Sequence, residues 1–257
     1  MKKINIREIV ENLIDTFINA GEVSLNLRLK GLTQKIKADN TPVSNGDLEV
    51  NKIITEKIKE LTPDIPIISE ESSENKLIKN LKNFWLIDPI DGTYDYINNK
   101  DEFTINAGLI IDRKPVAGLI NAPAKKRMFF SYGANSAFEL INNKIQKLGS
   151  SKNFDKKEIK FVTYSNNIKP EINLMHQKFK VRKLTRMKSS LKFCVIAAGE
   201  YDGYVAEPRA CEWDIAAGHA ILSHAGGEVT DFDGNEILYG KKDFKNPSLI
   251  LKSKSIL

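Results

Sequence analysis

Cysteine is almost missing from this chain: Cys194 and Cys211 are the only two, and they form no C-x-x-C pair. That argues against a disulfide framework and a thiolate zinc site, and suits a reducing cytoplasm. Long apolar runs are missing too, since stretches such as Ala107–Ile111 fall far short of the ~20 residues that span a bilayer. Met1-Lys2-Lys3 opens like a secretory leader, but Arg7, Glu8, Glu11 and Asp15 interrupt any apolar region behind it. The expected protein is therefore cytoplasmic, with no integral membrane segment. Histidine is scarce, and His219 and His224 are spaced to point to different helix faces, so no H-x-x-x-H zinc pair exists. Arginine is scarce as well: seven, against a total of 39 basic side chains. With no arginine stripe and no aromatic-basic interleaving, the net charge of +6 reads as a solvated lysine surface rather than a nucleic-acid groove. Such a field would still attract an anionic, phosphorylated substrate. Neither a G-x-S-x-G elbow, nor a G-x-x-x-x-G-K-[ST] loop, nor a G-x-G-x-x-G turn occurs.

What is present is enough chain, 257 residues, to bury a full core in one large domain or two closely packed ones. Val10, Leu13, Ile14, Phe17 and Ile18 recur at helical spacing, and Gly21 reads as the stop. A polar segment from about Lys30 to Asp47 leads into a second amphipathic helix carrying Leu48, Ile53, Ile54 and Ile58. Strands are expected at Ile65–Ile68, Phe84–Ile87, Phe103–Ile111, Val116–Ile120, Met128–Tyr132 and Ala137–Ile141, with a hairpin turn at Asp112-Arg113-Lys114-Pro115. The Lys/Ser/Asn-rich stretch from Gly149 to Lys157 reads as a boundary. Beyond it strands at Ile159–Tyr164, Tyr204-Val205, Gly227–Thr230 and Ser248–Leu251 alternate with helices over 190–199 and 214–225. The expectation is an α/β fold: a domain over 1–150 with a largely antiparallel sheet, then a domain over 151–257 with a mixed one.

Asp88-Pro89-Ile90-Asp91-Gly92-Thr93 is the most informative segment. An apolar strand ends in two carboxylates, Pro89 sets a turn, and Gly92 supplies backbone freedom. Carboxylates and the Ile90 carbonyl are hard oxygen ligands suited to Mg²⁺, and the Gly92 and Thr93 amides would meet a phosphate oxygen. An Asx turn with an N-cap competes as an explanation, but accounts for one aspartate better than two. Glu70-Glu71 ends another apolar strand, and taken singly reads more readily as a solvated turn. Asp214 precedes a helix of small residues and reads equally as its N-cap. Asp39, in a loop, says little alone.

Together these segments resemble the inositol monophosphatase superfamily, whose acidic loop, E-E, D-P-[IL]-D-G-T and W-D-x-A-A-G elements occur here in order. Lys37–Val43, Glu102–Asn106 and Ser189–Cys194 are similar to its 3'(2'),5'-bisphosphate nucleotidase branch. The resemblance implies a layered α-β-α-β-α sandwich and a magnesium-dependent phosphomonoesterase that uses two or three Mg²⁺ to activate water. It implies metal ligation by Glu70, Asp88, Asp91, Asp214 and the Ile90 carbonyl, with Thr93 and Glu70 orienting the water and Asp39 hydrogen-bonded to Thr93. Gly92, Thr93, Ser189 and Lys192 would bind substrate, a small phosphate monoester, in a lithium-sensitive monomer or homodimer. Two positions depart from the branch: Ala206 stands where an arginine is expected, with Arg209 the nearest, and Tyr94 stands where lysine is frequent. A nucleotidase acting on 3'-phosphoadenosine 5'-phosphate and an inositol or sugar phosphatase both fit the motifs. A non-catalytic anion- or RNA-binding protein is the remote third reading.

Overall fold

The computed structural model of the chain describes residues 5–37, 40–72, 74–78, 80–149 and 158–256. In chain order the elements are α1 (Ile6–Lys30), β1 (Gln34–Ile36), β2 (Pro42–Ser44), α2 (Asn45–Leu61), β3 (Ile67–Ser69) and β4 (Phe84–Asp91). Next come α3 (Thr93–Ile97), β5 (Thr104–Ile111), β6 (Lys114–Ala122), β7 (Arg127–Ser131), β8 (Ala137–Ile141) and β9 (Lys144–Lys147). The last are β10 (Ile159–Thr163), α4 (Pro170–Lys178), β11 (Val181–Arg186), α5 (Leu191–Ala197), β12 (Gly203–Ala206), α6 (Glu212–His224), β13 (Glu228–Thr230) and β14 (Leu249–Lys252).

Two sheets carry the architecture. Strands β3 to β9 form a seven-stranded sheet in sequence order, antiparallel except for the β3–β4 pair. The other sheet has five strands in the order β11-β10-β12-β14-β13, with parallel pairs on one side of β12 and antiparallel pairs on the other. A strand's side chains alternate between faces, and the two cores follow that alternation. On β4, Trp85 and Ile87 pack with Val10, Leu13 and Phe17 of α1 and Ile54 of α2, while Phe84 and Leu86 face Ala216, Ala217 and Ile221 of α6. In the second sheet Phe161 and Val205 take Ile172 of α4, while Val162, Tyr204 and Ala206 face the α5 and α6 side. The result is the expected α-β-α-β-α layering, with α5 and α6 between the sheets. The boundary expected near Gly149–Lys157 falls almost wholly on residues 150–157, which lie outside the described residues.

Gly21 does not stop α1, which runs nine residues further and ends at Gly31, a left-handed cap with φ of 96°. Gly21 is instead a point of close approach. A Cβ there would lie 2.4 Å from Asn121 Nδ2 and 2.9 Å from Pro123 Cβ, so only glycine lets α1 meet the end of β6. The polar segment before α2 also holds structure, a short β1–β2 hairpin followed by a capping box. Ser44 N–H and Oγ–H both donate to Asp47 Oδ2, at 2.8 and 2.6 Å. Among the described residues no helix is long and apolar enough to cross a membrane.

Helix α6 sits equally close on the large sheet. A Cβ on Gly118 would fall 2.2 Å from the Ala217 carbonyl oxygen and one on Gly108 2.7 Å from Ala216 Cβ. Alanine ordinarily suits a strand better than glycine. Gly118→Ala is nonetheless expected to destabilise the protein by about 1–3 kcal/mol through overpacking against main chain. Denaturant unfolding checks it; an unchanged or raised stability would contradict the close α6–β6 contact.

Candidate metal centre

The centre lies where β4 ends. Asp88 faces Asn106 on β5 while Asp91 faces Thr104, so β4 carries one residue more than its partner and bulges at Pro89-Ile90. Proline costs nothing there, because the bulge needs no ladder N–H from it. Gly92 follows with φ of 97°, and a Cβ on it would lie 2.8 Å from the Glu102 carbonyl oxygen. The bulge and the left-handed glycine present Asp88, Ile90, Asp91 and Thr93 to one cavity of about 470 Å³.

Two other segments reach the same cavity. Glu70 comes from the turn after β3, its N–H held by the Ile87 carbonyl at 3.0 Å. Asp214 comes from the first turn of α6, where Cys211 takes the N-cap position and its N–H donates to Asp214 Oδ2 at 2.7 Å. One carboxylate oxygen each from Glu70, Asp88 and Asp214 lies within 4.8 Å of the others. Asp91 joins them at the cavity wall, its Oδ2 accepting from both N–H and Oγ–H of Ser190.

These acids are crowded, and Asp88 among them is buried. Asp88 is 1% exposed, and its Oδ1 has no hydrogen-bond partner. Burial, then the charges of Glu70, Asp91 and Asp214, push its carboxyl well above the usual range. Asp214 is pushed up to about 8 by burial first and by Asp91 and Glu70 next. Lysine answers only part of this charge: Lys37 Nζ bonds Glu70 Oε1 at 2.8 Å and Glu71 Oε1 at 2.9 Å. Burial alone would lower the Lys37 pKa, but the two glutamates outweigh it and raise it. An all-oxygen donor set with an orphaned buried carboxylate oxygen fits a hard divalent cation.

Thr93 has a partner that sequence reading missed. Its Oγ1 lies 3.0 Å from Asp47 Oδ1 and 3.0 Å from the Ile90 carbonyl. Asp39, expected in that role, lies outside the described residues; the carboxylate that meets Thr93 is Asp47, eight positions on. The Ser44-x-x-Asp47 capping box ahead of a periodic helix was the available signal, since it fixes one Asp47 oxygen and leaves the other to point inward. Burial raises the Asp47 carboxyl against the opposing hydrogen bonds from Ser44 and Thr93.

The rest of the cavity lining is in part cationic and aromatic. Lys188, Lys192 and Arg209 belong to it, with Tyr94, Tyr164 and Tyr204. Arg209 lies flat on Tyr164, its guanidinium carbon 3.2 Å from the ring centroid. Lys188 Nζ is 3.2 Å from Asp95 Oδ2. Lys192 Nζ donates to the Lys188 and Ser189 carbonyls at 3.0 and 2.7 Å, and burial lowers its pKa. Ser189, expected against substrate, is fully buried and is not part of the cavity wall; its neighbour Ser190 is the one that reaches Asp91. The histidines stand apart as neutral core groups: His219 Nδ1 meets Tyr239 Oη at 2.9 Å and His224 Nδ1 meets Ser131 Oγ at 3.0 Å.

The profile of the inositol monophosphatase family matches residues 5–256. The chain belongs to the inositol monophosphatase family. It is a phosphatase of that family, and its fold is the family's mixed α/β fold. The 3'(2'),5'-bisphosphate nucleotidase CysQ of Buchnera aphidicola is 34% identical over 254 residues, 93% of either chain. The protein of the same name from Salmonella typhimurium is 32% identical over 236 residues, covering 89% of this chain and 93% of its own. Among solved structures, CysQ from Bacteroides thetaiotaomicron superposes with a TM-score of 0.78 at 27% identity, over 98% of this chain and 99% of that one. Inositol monophosphatase from Anabaena shares the fold at 21% identity, with a TM-score of 0.74 over 98% of this chain and 93% of that one.

The raised carboxyls set a pH dependence for metal-free protein. Asp214 titrates at about 8 when folded and near 4 when unfolded. Between those values the native state binds more protons than the unfolded one, so stability falls as pH rises. Its contribution is full below about pH 4 and lost by about pH 8. Protein freed of metal by a chelator is expected to melt several degrees lower at pH 8 than at pH 5. A melting temperature that rises over this interval would contradict the buried cluster.

Proposed function

We propose that the chain is a magnesium-dependent 3'(2'),5'-bisphosphate nucleotidase that converts 3'-phosphoadenosine 5'-phosphate to AMP and phosphate. The observation that carries this reading is a cavity lined by two unlike sets of groups: acids grouped for a cation, and the cations Lys188, Lys192 and Arg209. A substrate with two phosphates matches both sets. The names of the relatives from Buchnera aphidicola and Salmonella typhimurium support it further.

In this reading Glu70, Asp88, Asp91, Asp214 and the Ile90 carbonyl hold two or three Mg²⁺. When bound, Mg²⁺ supplies a Lewis acid that lowers the pKa of attacking water and neutralises charge on the phosphate and leaving oxygen. Thr93 gives its single proton to the Asp47 carboxylate, a charge-assisted bond stronger than one to a carbonyl. That leaves the Thr93 oxygen free to accept from the attacking water and the Ile90 carbonyl free for the cation. Glu70 aligns the water from the opposite side, and the Gly92 and Thr93 amides face the phosphate.

Ala206 favours a second reading. It is small, apolar, 3% exposed and part of the cavity lining, and does not grip a second phosphate. A phosphatase of inositol or sugar monophosphates would need no such grip. In the nucleotidase reading Arg209, three residues on and held by Tyr164, supplies it instead.

Phosphate release across a substrate panel, with and without Mg²⁺, separates the two. Mg²⁺-dependent release is expected to be fastest on 3'-phosphoadenosine 5'-phosphate; fastest release from inositol 1-phosphate would favour the second reading, and none from any substrate would sink both. Arg209→Ala is expected to raise KM for the bisphosphate about 10–100-fold and leave KM for a monophosphate little changed. Equal effects on both would remove Arg209 from the second-phosphate grip. Asp91→Asn is expected to cut turnover by about 10³-fold or more without loss of fold, judged by circular dichroism. Near-normal turnover would remove Asp91 from the metal centre.

A further inference from the structure

We infer that Ser190 is a positioning residue for the metal centre: it tethers one oxygen of Asp91 and ties the end of β4 to the start of α5. The inference rests on the magnesium reading above. Ser190 N–H and Oγ–H both donate to Asp91 Oδ2. The same hydroxyl oxygen lies 2.7 Å from the Asp214 main-chain carbonyl and accepts from Asn106 Nδ2 at 3.2 Å. Asn106 stands on β5 directly opposite Asp88. One buried hydroxyl, 1% exposed, thus meets segments that bear Asp88's partner, Asp91 and Asp214.

The need for such a tether follows from charge. Asp91 closes a bulged strand beside other acids, and like charges drive a free carboxylate to swing toward solvent. Two donors on Oδ2 hold that oxygen and leave the other to face the cavity. The Asn106 amide donates into the Ser190 oxygen, which polarises the hydroxyl and strengthens its bond to Asp91. The hydroxyl has one proton, and the Asp91 carboxylate takes it in preference to the Asp214 carbonyl, because a charge-assisted bond is the stronger. Carboxylates that ligate metals are held by such outer partners, whose loss typically costs 10–100-fold in metal affinity.

Calorimetric titration of Mg²⁺ into the full chain tests this without turnover. Ser190→Ala deletes one oxygen and keeps the tethering N–H, so a loss at the lower end, about tenfold in Mg²⁺ affinity, is expected. At saturating Mg²⁺ the KM for substrate is expected to stay at the wild-type value, while the Mg²⁺ concentration for half-maximal rate rises by the same factor as the binding constant. In an Asp91→Asn background Ser190→Ala is expected to add less than about twofold, because the two act as one unit. Wild-type Mg²⁺ affinity in Ser190→Ala would overturn the inference alone, as would an undiminished effect in the Asp91→Asn background. Absence of Mg²⁺ binding by the wild-type chain would overturn the magnesium reading together with it.

Discussion

Repulsion among buried and half-buried carboxylates at the end of β4 is the constraint on which this molecule turns. Glu70, Asp88 and Asp214 bring oxygens within 4.8 Å of one another, and Asp88 has an oxygen with no partner. A protein built only for stability would not keep such a group, since an unpaired buried charge is costly. A cation would supply the missing charge; without one the acids hold protons, as the raised Asp88 and Asp214 carboxyls do. The features nearby then follow. The Pro89-Ile90 bulge re-aims the acids, Gly92 lets the chain turn under Glu102, and α6 lies against glycines 108 and 118 so that Asp214 reaches the cluster.

The same constraint explains how the neighbouring side chains are arranged. Lys37 is drawn onto Glu70 and Glu71. Asp47 is held by a helix cap, and Ser190 holds Asp91. None of these residues acts by itself; each limits how far an acid of the cluster moves away from its neighbours. In the same cavity Lys192 spends its hydrogen bonds on main-chain carbonyls. Arg209, laid on Tyr164, is therefore the cation there with no carboxylate or carbonyl partner among its described contacts. Those two sets of groups, acids suited to a metal and a stacked guanidinium suited to an anion, are what the proposed bisphosphate substrate rests on.

Much of this was legible in the sequence, for physical reasons. Strands buried on both faces, such as Phe84–Ile87 and Thr104–Ile111, are apolar runs that nothing else explains. The acids at their ends stood out against them. The misses have physical causes as well. Strand β11, at a sheet edge and rich in Lys and Arg, carries no alternation to read, because edge strands use charge to avoid pairing. Gly21 was taken for a helix stop because composition shows that a glycine is present but not what approaches it. Asp47 was passed over because it lies in a polar segment, where only the cap formed with Ser44 marks it as a carboxylate that faces Thr93. Ser189 and Ser190 are adjacent and chemically identical, so which one meets the acids depends on how the chain enters α5.

The central claim is that the acid cluster exists to hold divalent cations. Crystals grown or soaked with Mn²⁺, a stand-in with anomalous scattering, measure this most directly. The account predicts anomalous peaks within coordination distance of Glu70, Asp88 and Asp214, with Asp91 and the Ile90 carbonyl in the same shell. Peaks only elsewhere, or an empty cluster in protein that still releases phosphate, would contradict it.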